Sequence, residues 1–292
     1  MDFGPYFLLA SLEGLVQASV LCLTALGLSL VFGVMRVVNV AHGEFYMVSA
    51  VLCWWVTSLV SINPAVNFVV AMLCVPVLVA GLAALCERLI LRRLAYDPES
   101  TIVATIGILF ILQQCALIFF GPDARPVEAP FYFRVDFPWF GYSGYKLFVI
   151  LAAVVVLLVL GYIINRTRAG LIMRATQIDG DMAQAFGIPV NRVYAMVFAA
   201  GAMLAGIAAI LIVPIRQAHY LMGLDPLLMS FIVVIIGGLG SLRGTIVAAL
   251  IIGMSDGIVS MFFSPTLAKM LSTLLVALVL VFRPQGLFGT KP

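Results

Sequence analysis

Residues Gly14 to Met35 form a largely apolar run of 22 residues without a single charge. At about 1.5 Å per residue the run is long enough to span a bilayer core of about 30 Å as a helix. Further runs repeat the pattern. Phe45 to Cys86 is too long for one crossing, and Asn63-Pro64 splits it at a helix-ending pair. Ser100 to Pro122, Leu147 to Asn165 and Val193 to Ile215 give one span each, and Thr245 to Phe263 and Thr266 to Phe282 give two more. Between these sets, Pro226 to Leu242 is shorter than the others and reads as a partial or re-entrant pass. The expectation is about nine crossings, within a range of 8–10 segments.

Backbone amides in hydrocarbon must pair within their own segment or in a closed barrel. Barrel strands alternate apolar and polar residues, and these runs do not. The composition agrees: 64% of the chain is hydrophobic and 10% charged, well outside the range of soluble domains. The fold class is therefore all-α, a polytopic transmembrane protein, with residues 1–292 read as one membrane domain. Asp2 and Glu13 precede any basic residue, so the start does not read as a cleavable signal peptide. A net charge of +3 is too small to argue for nucleic acid. Five cysteines lie in apolar runs without a C-x-x-C pair and read as small hydrophobes.

Lys and Arg set the orientation. With the loop around Arg166, Arg168 and Arg174 placed in the cytoplasm, Arg36, Arg88, Arg92, Arg93, Arg192, Arg243, Arg283 and Lys291 also fall inside. Arg125, Arg134, Lys146, Arg216 and Lys269 fall outside, so the count is 11 against 5. This predicts a periplasmic N-terminus, a cytoplasmic C-terminus and a cytoplasmic loop over 166–192. The segment Gly121 to Tyr145, rich in aromatics and proline, reads as a packed outer cap. No internal repeat is evident in the residues.

The polar interruption ATQIDGDMAQAFGIP (Ala175–Pro189) stands out in so oily a chain. Asp179 suits an N-cap, and Asp181 favours the positive end of the helix dipole. Met182, Ala185 and Phe186 fall on one face. Gly187 can end the helix in the left-handed conformation and Pro189 prevents its resumption. Two readings stand: a plain capped surface helix, or an apolar knob made to dock on a partner.

RVVNVAHGEF contributes Arg36, Asn39, His42, Gly43 and Glu44 at the end of a span, where polar groups are costly. His42 and Glu44, two apart, do not share a helix face. With only His42 and His219 in the chain, no metal site is expected. Asn39 and Glu44 could cap the next helix, or Asn39, His42 and Glu44 could line the inner mouth of a pathway. The glycines of IIGGLGSLRGT (Gly237, Gly238, Gly240, Gly244) have no Rossmann strand before them and read as close packing or a hinge. Glu13 and Asp256 lie within spans and must face protein or water. Either could serve the pathway or form an ion pair, Asp256 for instance with Lys269. No lysine follows a glycine, as a P-loop requires, so no enzymatic ATPase site is expected on this chain.

Four blocks, in order, are similar to the membrane subunits of branched-chain amino acid ABC importers: GLSLVFGVMRVVNVAHGEFYMVSA, GLIMRATQIDGDMAQAFGIPVNRVYAMVFAAGAMLAGIAAIL, IIGGLGSLRGTIVAALIIG and RPQGLFG. The chain resembles the first of the two paired permeases. The resemblance implies an ABC importer permease fold in the bacterial inner membrane. It implies as partners a second permease, two cytoplasmic ATPases and a periplasmic substrate-binding protein, with lipid around the spans. It implies no cofactor on this chain, ATP and Mg being held by the ATPases. The short helix then resembles a coupling helix, with Asp179, Asp181, Met182, Ala183, Ala185, Phe186 and Gly187 facing an ATPase groove. Related importers carry urea, short amides or small aromatic acids. An ion-coupled transporter or channel is the rival of a different class; it would need no docked helix and would show a midplane ionic site.

Overall fold

The computed structural model describes residues 3–60, 62–283 and 285–288. Lys291, used in the orientation count, and Pro284 and Gly289 of the last family-like block lie outside these. The described chain carries eleven α-helices: α1 (Phe3–Met35), α2 (His42–Val60), α3 (Pro64–Leu89), α4 (Pro98–Phe120), α5 (Gly144–Arg166), α6 (Arg168–Ile178), α7 (Gly180–Ala185), α8 (Val190–Ile212), α9 (Leu224–Gly237), α10 (Leu242–Phe262) and α11 (Pro265–Phe282). A 3₁₀ turn, Leu91–Leu94, follows α3. A small antiparallel hairpin, β1 (Arg134–Asp136) with β2 (Gly141–Ser143), interrupts the helical plan between α4 and α5.

Eight of the helices are long and apolar enough to cross a membrane. The ninth passage is different in kind. α9 has 14 residues, about 21 Å, and falls short of a bilayer core. The chain leaves α8 and reaches α9 through residues 213–223, with Gly223 just before α9 buried and Leu224 and Asp225 exposed. α1 is the opposite case: its 33 residues begin well before Gly14. The charge that seemed to delimit the span, Glu13, sits within the helix and pairs with Lys146 of α5 at 2.5 Å.

Helix ends follow the local sequence. Asn63 accepts the Val66 amide at 2.8 Å ahead of Pro64. Ser241 caps α10 through Gly244, and Ser264 caps α11 through Leu267. Each side chain takes up an amide that the first turn leaves unpaired.

The core is an inverted repeat. The contacts of α1, α2 and α3 answer those of α8, α9 and α10 one for one: α1 on α9 matches α8 on α2, and α2 on α3 matches α9 on α10. α1 packs on α10, α3 packs on α8, and α1 and α8 cross at the centre. There Gly27 and Gly201 meet: a Cβ on either would lie 2.5 or 2.8 Å from the other's carbonyl oxygen. The starts of α2 and α9 meet in the same reciprocal way, with Gly43 and Gly223 each leaving 2.3 Å for a Cβ before the other's carbonyl. Inverted repeats with interrupted helices are a recurrent transporter plan. The repeat escapes the residue pattern because small residues at helix crossings fix backbone approach, not identity, and the loops leading into α2 and α9 differ in length.

α4, α5 and α11 pack around this core and present apolar side chains such as Phe110, Phe119 and Leu158 outward. At one end lie α6 and α7; the segment 121–143 lies at the other. That segment is a cap, with Phe131 stacked on Phe133 and edge-on to Phe148. Arg125 lies over the Trp54 ring at 4.9 Å and its backbone bridges Ala218.

Candidate coupling surface and polar core

α7 is short and held at both ends. Asp179 accepts the Met182 amide at 2.9 Å. After the helix, Gly187 takes φ 83°, and Ile188 donates back to the Ala183 carbonyl at 3.0 Å, a Schellman-type closure. Outward, Ile178, Met182 and Phe186 follow one another at four-residue spacing and are 79%, 58% and 82% exposed. Asp179, Asp181, Ala185 and Gly187 are exposed beside them. Ala183 points the other way and is 5% exposed. It anchors the helix and offers nothing to a partner from outside. Ile178, absent from the sequence-derived set, is the last residue of α6 and is exposed just ahead of the Asp179 cap.

α6, which leads into α7, is fastened to the core. Gln177 donates to the Gly240 carbonyl at 3.4 Å, and Gly240 packs on Gly33 of α1. The glycine run makes this turn. Gly238 and Gly240 adopt φ 100° and 78°, open to glycine at no steric cost. The backbones of Gly237 and Gly244 touch, so that a Cβ on Gly244 would overlap the Gly237 carbonyl. Leu287 and Phe288 then donate to the Ile236 and Gly237 carbonyls at 2.8 and 3.1 Å, bringing two of the family-like blocks together.

Beside α7 lies a polar cleft of about 1070 Å³, walled by the end of α3, the 3₁₀ turn and the start of α8, with Arg88, Arg92, Asp181 and Arg192 on its walls. Tyr96, on edge against Tyr194 at 4.7 Å, donates to Glu87 at 2.5 Å. Burial and that acceptor push the Tyr96 phenol up, so it remains a protonated donor.

Within RVVNVAHGEF, Arg36 is exposed, whereas Asn39, His42, Gly43 and Glu44 are buried. His42 is fully buried and its Nε2 donates to the Thr24 carbonyl at 2.9 Å. Asn39 is also enclosed, and its amide oxygen, His42 Nδ1 and both carboxylate oxygens of Glu44 have no partner among the described residues. Glu13 is held by Lys146. Asp256 does not pair directly with Lys269, which instead contacts Asp225 at 2.7 Å. Asp256, half-buried on α10, lines a second cleft with Gln17, Tyr46, Arg216 and Asp225. Of these only Asp256 stands out in the sequence as a pathway candidate. Arg216 reads there only as an outer-side charge in a loop, because its place beside Asp256 depends on contacts between distant helices.

A family model described as the permease component of branched-chain amino acid transport systems matches residues 10–281. The chain belongs to this family. Among similar proteins is the high-affinity branched-chain amino acid transport permease BraD of Pseudomonas aeruginosa, 25% identical over 97% of this chain and 96% of the relative. LivH of Escherichia coli K12, named in the same terms, is 25% identical with the same coverage. A probable LivH of Methanocaldococcus jannaschii is 27% identical over 95% of this chain and 91% of its own. No solved structure matches significantly. The family is one of transport-system permeases, not of enzymes, and the eight long apolar helices make the chain a multi-pass membrane protein.

Proposed function

We propose that this chain is one of two permease subunits of an ATP-driven importer for branched-chain amino acids in the bacterial inner membrane. A second, related permease completes the path. Two cytoplasmic ATPases bind ATP and Mg and supply the work, and a periplasmic binding protein delivers substrate. α7 is the contact with an ATPase, and its end of the molecule is cytoplasmic. The described chain begins at the opposite end and finishes near α7, in agreement with the Lys and Arg bias.

The observation that carries this reading is the exposed row Ile178–Met182–Phe186 along α6 and the capped α7, with α6 braced through Gln177 against α1 and the α9–α10 turn. Three large apolar side chains in a row on a polar loop are costly unless a partner covers them. The bracing gives movement of that partner a rigid route into the repeat, because packed helices shift as bodies. Uphill transport then needs only that the inward and outward states differ in substrate affinity.

The test is leucine uptake and ATP hydrolysis by the whole transporter in proteoliposomes. Phe186→Glu should lower uptake by at least about tenfold, about 1.4 kcal/mol of coupling, while the chain still inserts. Unchanged uptake per ATP hydrolysed would remove α7 from the coupling path.

A further inference from the structure

The second cleft lies on the side of the molecule away from α7, where the starts of α9 and α11 and the ends of α8 and α10 meet α1 and α2. Its volume is about 80 Å³, several times the roughly 10–15 Å³ that one water needs on this measure. Its walls divide by chemistry. Val20, Leu21, Ile212, Met229 and Ile252 make an apolar side, and Arg216, Asp225, Asp256 and Lys269 make a charged one.

The charges are not all used. Lys269 and Asp225 neutralise each other at 2.7 Å. That leaves one positive and one negative group, Arg216 and Asp256. Arg216 spends one Nη2 donor on the Gln17 amide oxygen at 3.3 Å, out of five on the guanidinium. Asp256 makes no hydrogen bond and no direct ion pair among the described residues, although Arg216 and Lys269 lie close enough to act on its charge. Arg216 follows α8 and Asp256 sits on α10 next to Ile252 on the same face, so the two charges flank one apolar wall.

We propose that this cleft receives an aliphatic α-amino acid as its zwitterion. The substrate carboxylate lies on the Arg216 guanidinium, its ammonium on the Asp256 carboxylate, and its branched side chain against Leu21, Met229 and Ile252. The proposal rests on the reading of the chain as a branched-chain amino acid permease and adds the residues that discriminate the substrate. A guanidinium alone would take any carboxylate, and a carboxylate alone any amine. The two together select a molecule with both charges, since a ligand lacking one leaves its partner in the cleft unmatched. An apolar wall beside them favours an aliphatic side chain over a polar one. The cleft's open, partly solvated charges suit weak reception and quick release.

A reporter cysteine at Met229→Cys tests this in the assembled, nucleotide-free transporter without its binding protein. The rate of labelling at position 229 by a small neutral thiol reagent is followed by mass spectrometry. Millimolar leucine should slow labelling by about fivefold. Isovalerate and isoamylamine, each with one of the two charges, should give little protection. Arg216→Ala and Asp256→Asn should abolish leucine protection; Arg216→Lys, which keeps the charge, should retain part of it and control for misfolding. Equal protection by all three compounds, protection by none, or protection unchanged in Arg216→Ala and Asp256→Asn would overturn the assignment. The wider functional reading fails by a separate measurement, the absence of ATP-dependent leucine uptake by the unaltered complex.

Discussion

α2 and α9 are equivalent in the inverted repeat, yet their surroundings are opposite. α2 starts after a short loop, 36–41, and the polar groups at its start are shut in: His42 on the Thr24 carbonyl, Asn39 and Glu44 enclosed, with only Arg36 at the far end of the loop exposed. α9 starts after the longer stretch 213–223, and the polar groups there, Arg216 and Asp225, open into a cleft with Asp256 and Lys269. One backbone plan thus yields a sealed junction and an accessible one. The short return keeps Asn39 enclosed just before α2, while the long one reaches the cap at Arg125–Ala218 and leaves Arg216 and Asp225 exposed.

The strongest way to break this comparison is at the point both halves share. Gly43→Val puts a side chain where 2.3 Å separates the site from the Gly223 carbonyl. It should cost about 3 kcal/mol or more, read as loss of folded protein from the membrane or a large drop in thermal midpoint; near-native accumulation and stability would mean that the helix starts do not touch. Next in size, His42→Ala removes the donor to Thr24 in the sealed junction. A loss of about 1–3 kcal/mol is expected, with the pH profile of uptake unchanged in shape between pH 5 and 8. A profile that shifts would give His42 a role in transport and undo the contrast with α9. The smallest effect is expected on the open side. Lys269 and Asp225 are both more than half exposed, so Lys269→Ala should change stability by no more than about 1 kcal/mol. A larger loss would show that the cleft is a closed element like its counterpart.

The sequence predicts the membrane class, the positions of the long helices and the cap on α7, because continuous apolar runs and Asp179, Gly187 and Pro189 act locally. It also marks Pro226–Leu242 as incomplete. It does not show why: the place of α9 depends on backbone contact between Gly43 and Gly223, far apart along the chain, and no local pattern encodes that. For the same reason Asn39 and Glu44, readable as caps of α2 or as rim residues, are buried without making a cap, and Lys269, readable as a partner for Asp256, reaches Asp225 at the start of α9. On α7 the periodicity places Met182 and Phe186 on one face. It gives no warning that Ala183 is the inward anchor, since alanine suits both faces equally.

The central claim is that α7 projects into a cytoplasmic ATPase. The most direct test is a single cysteine at Phe186→Cys, paired with cysteines along the ATPase surface groove, in intact membranes. The account predicts a disulfide between permease and ATPase, with residue 186 protected from membrane-impermeant reagents added outside. Labelling of that cysteine from the periplasmic side, or an intact complex in which no groove position cross-links to it, would contradict the account.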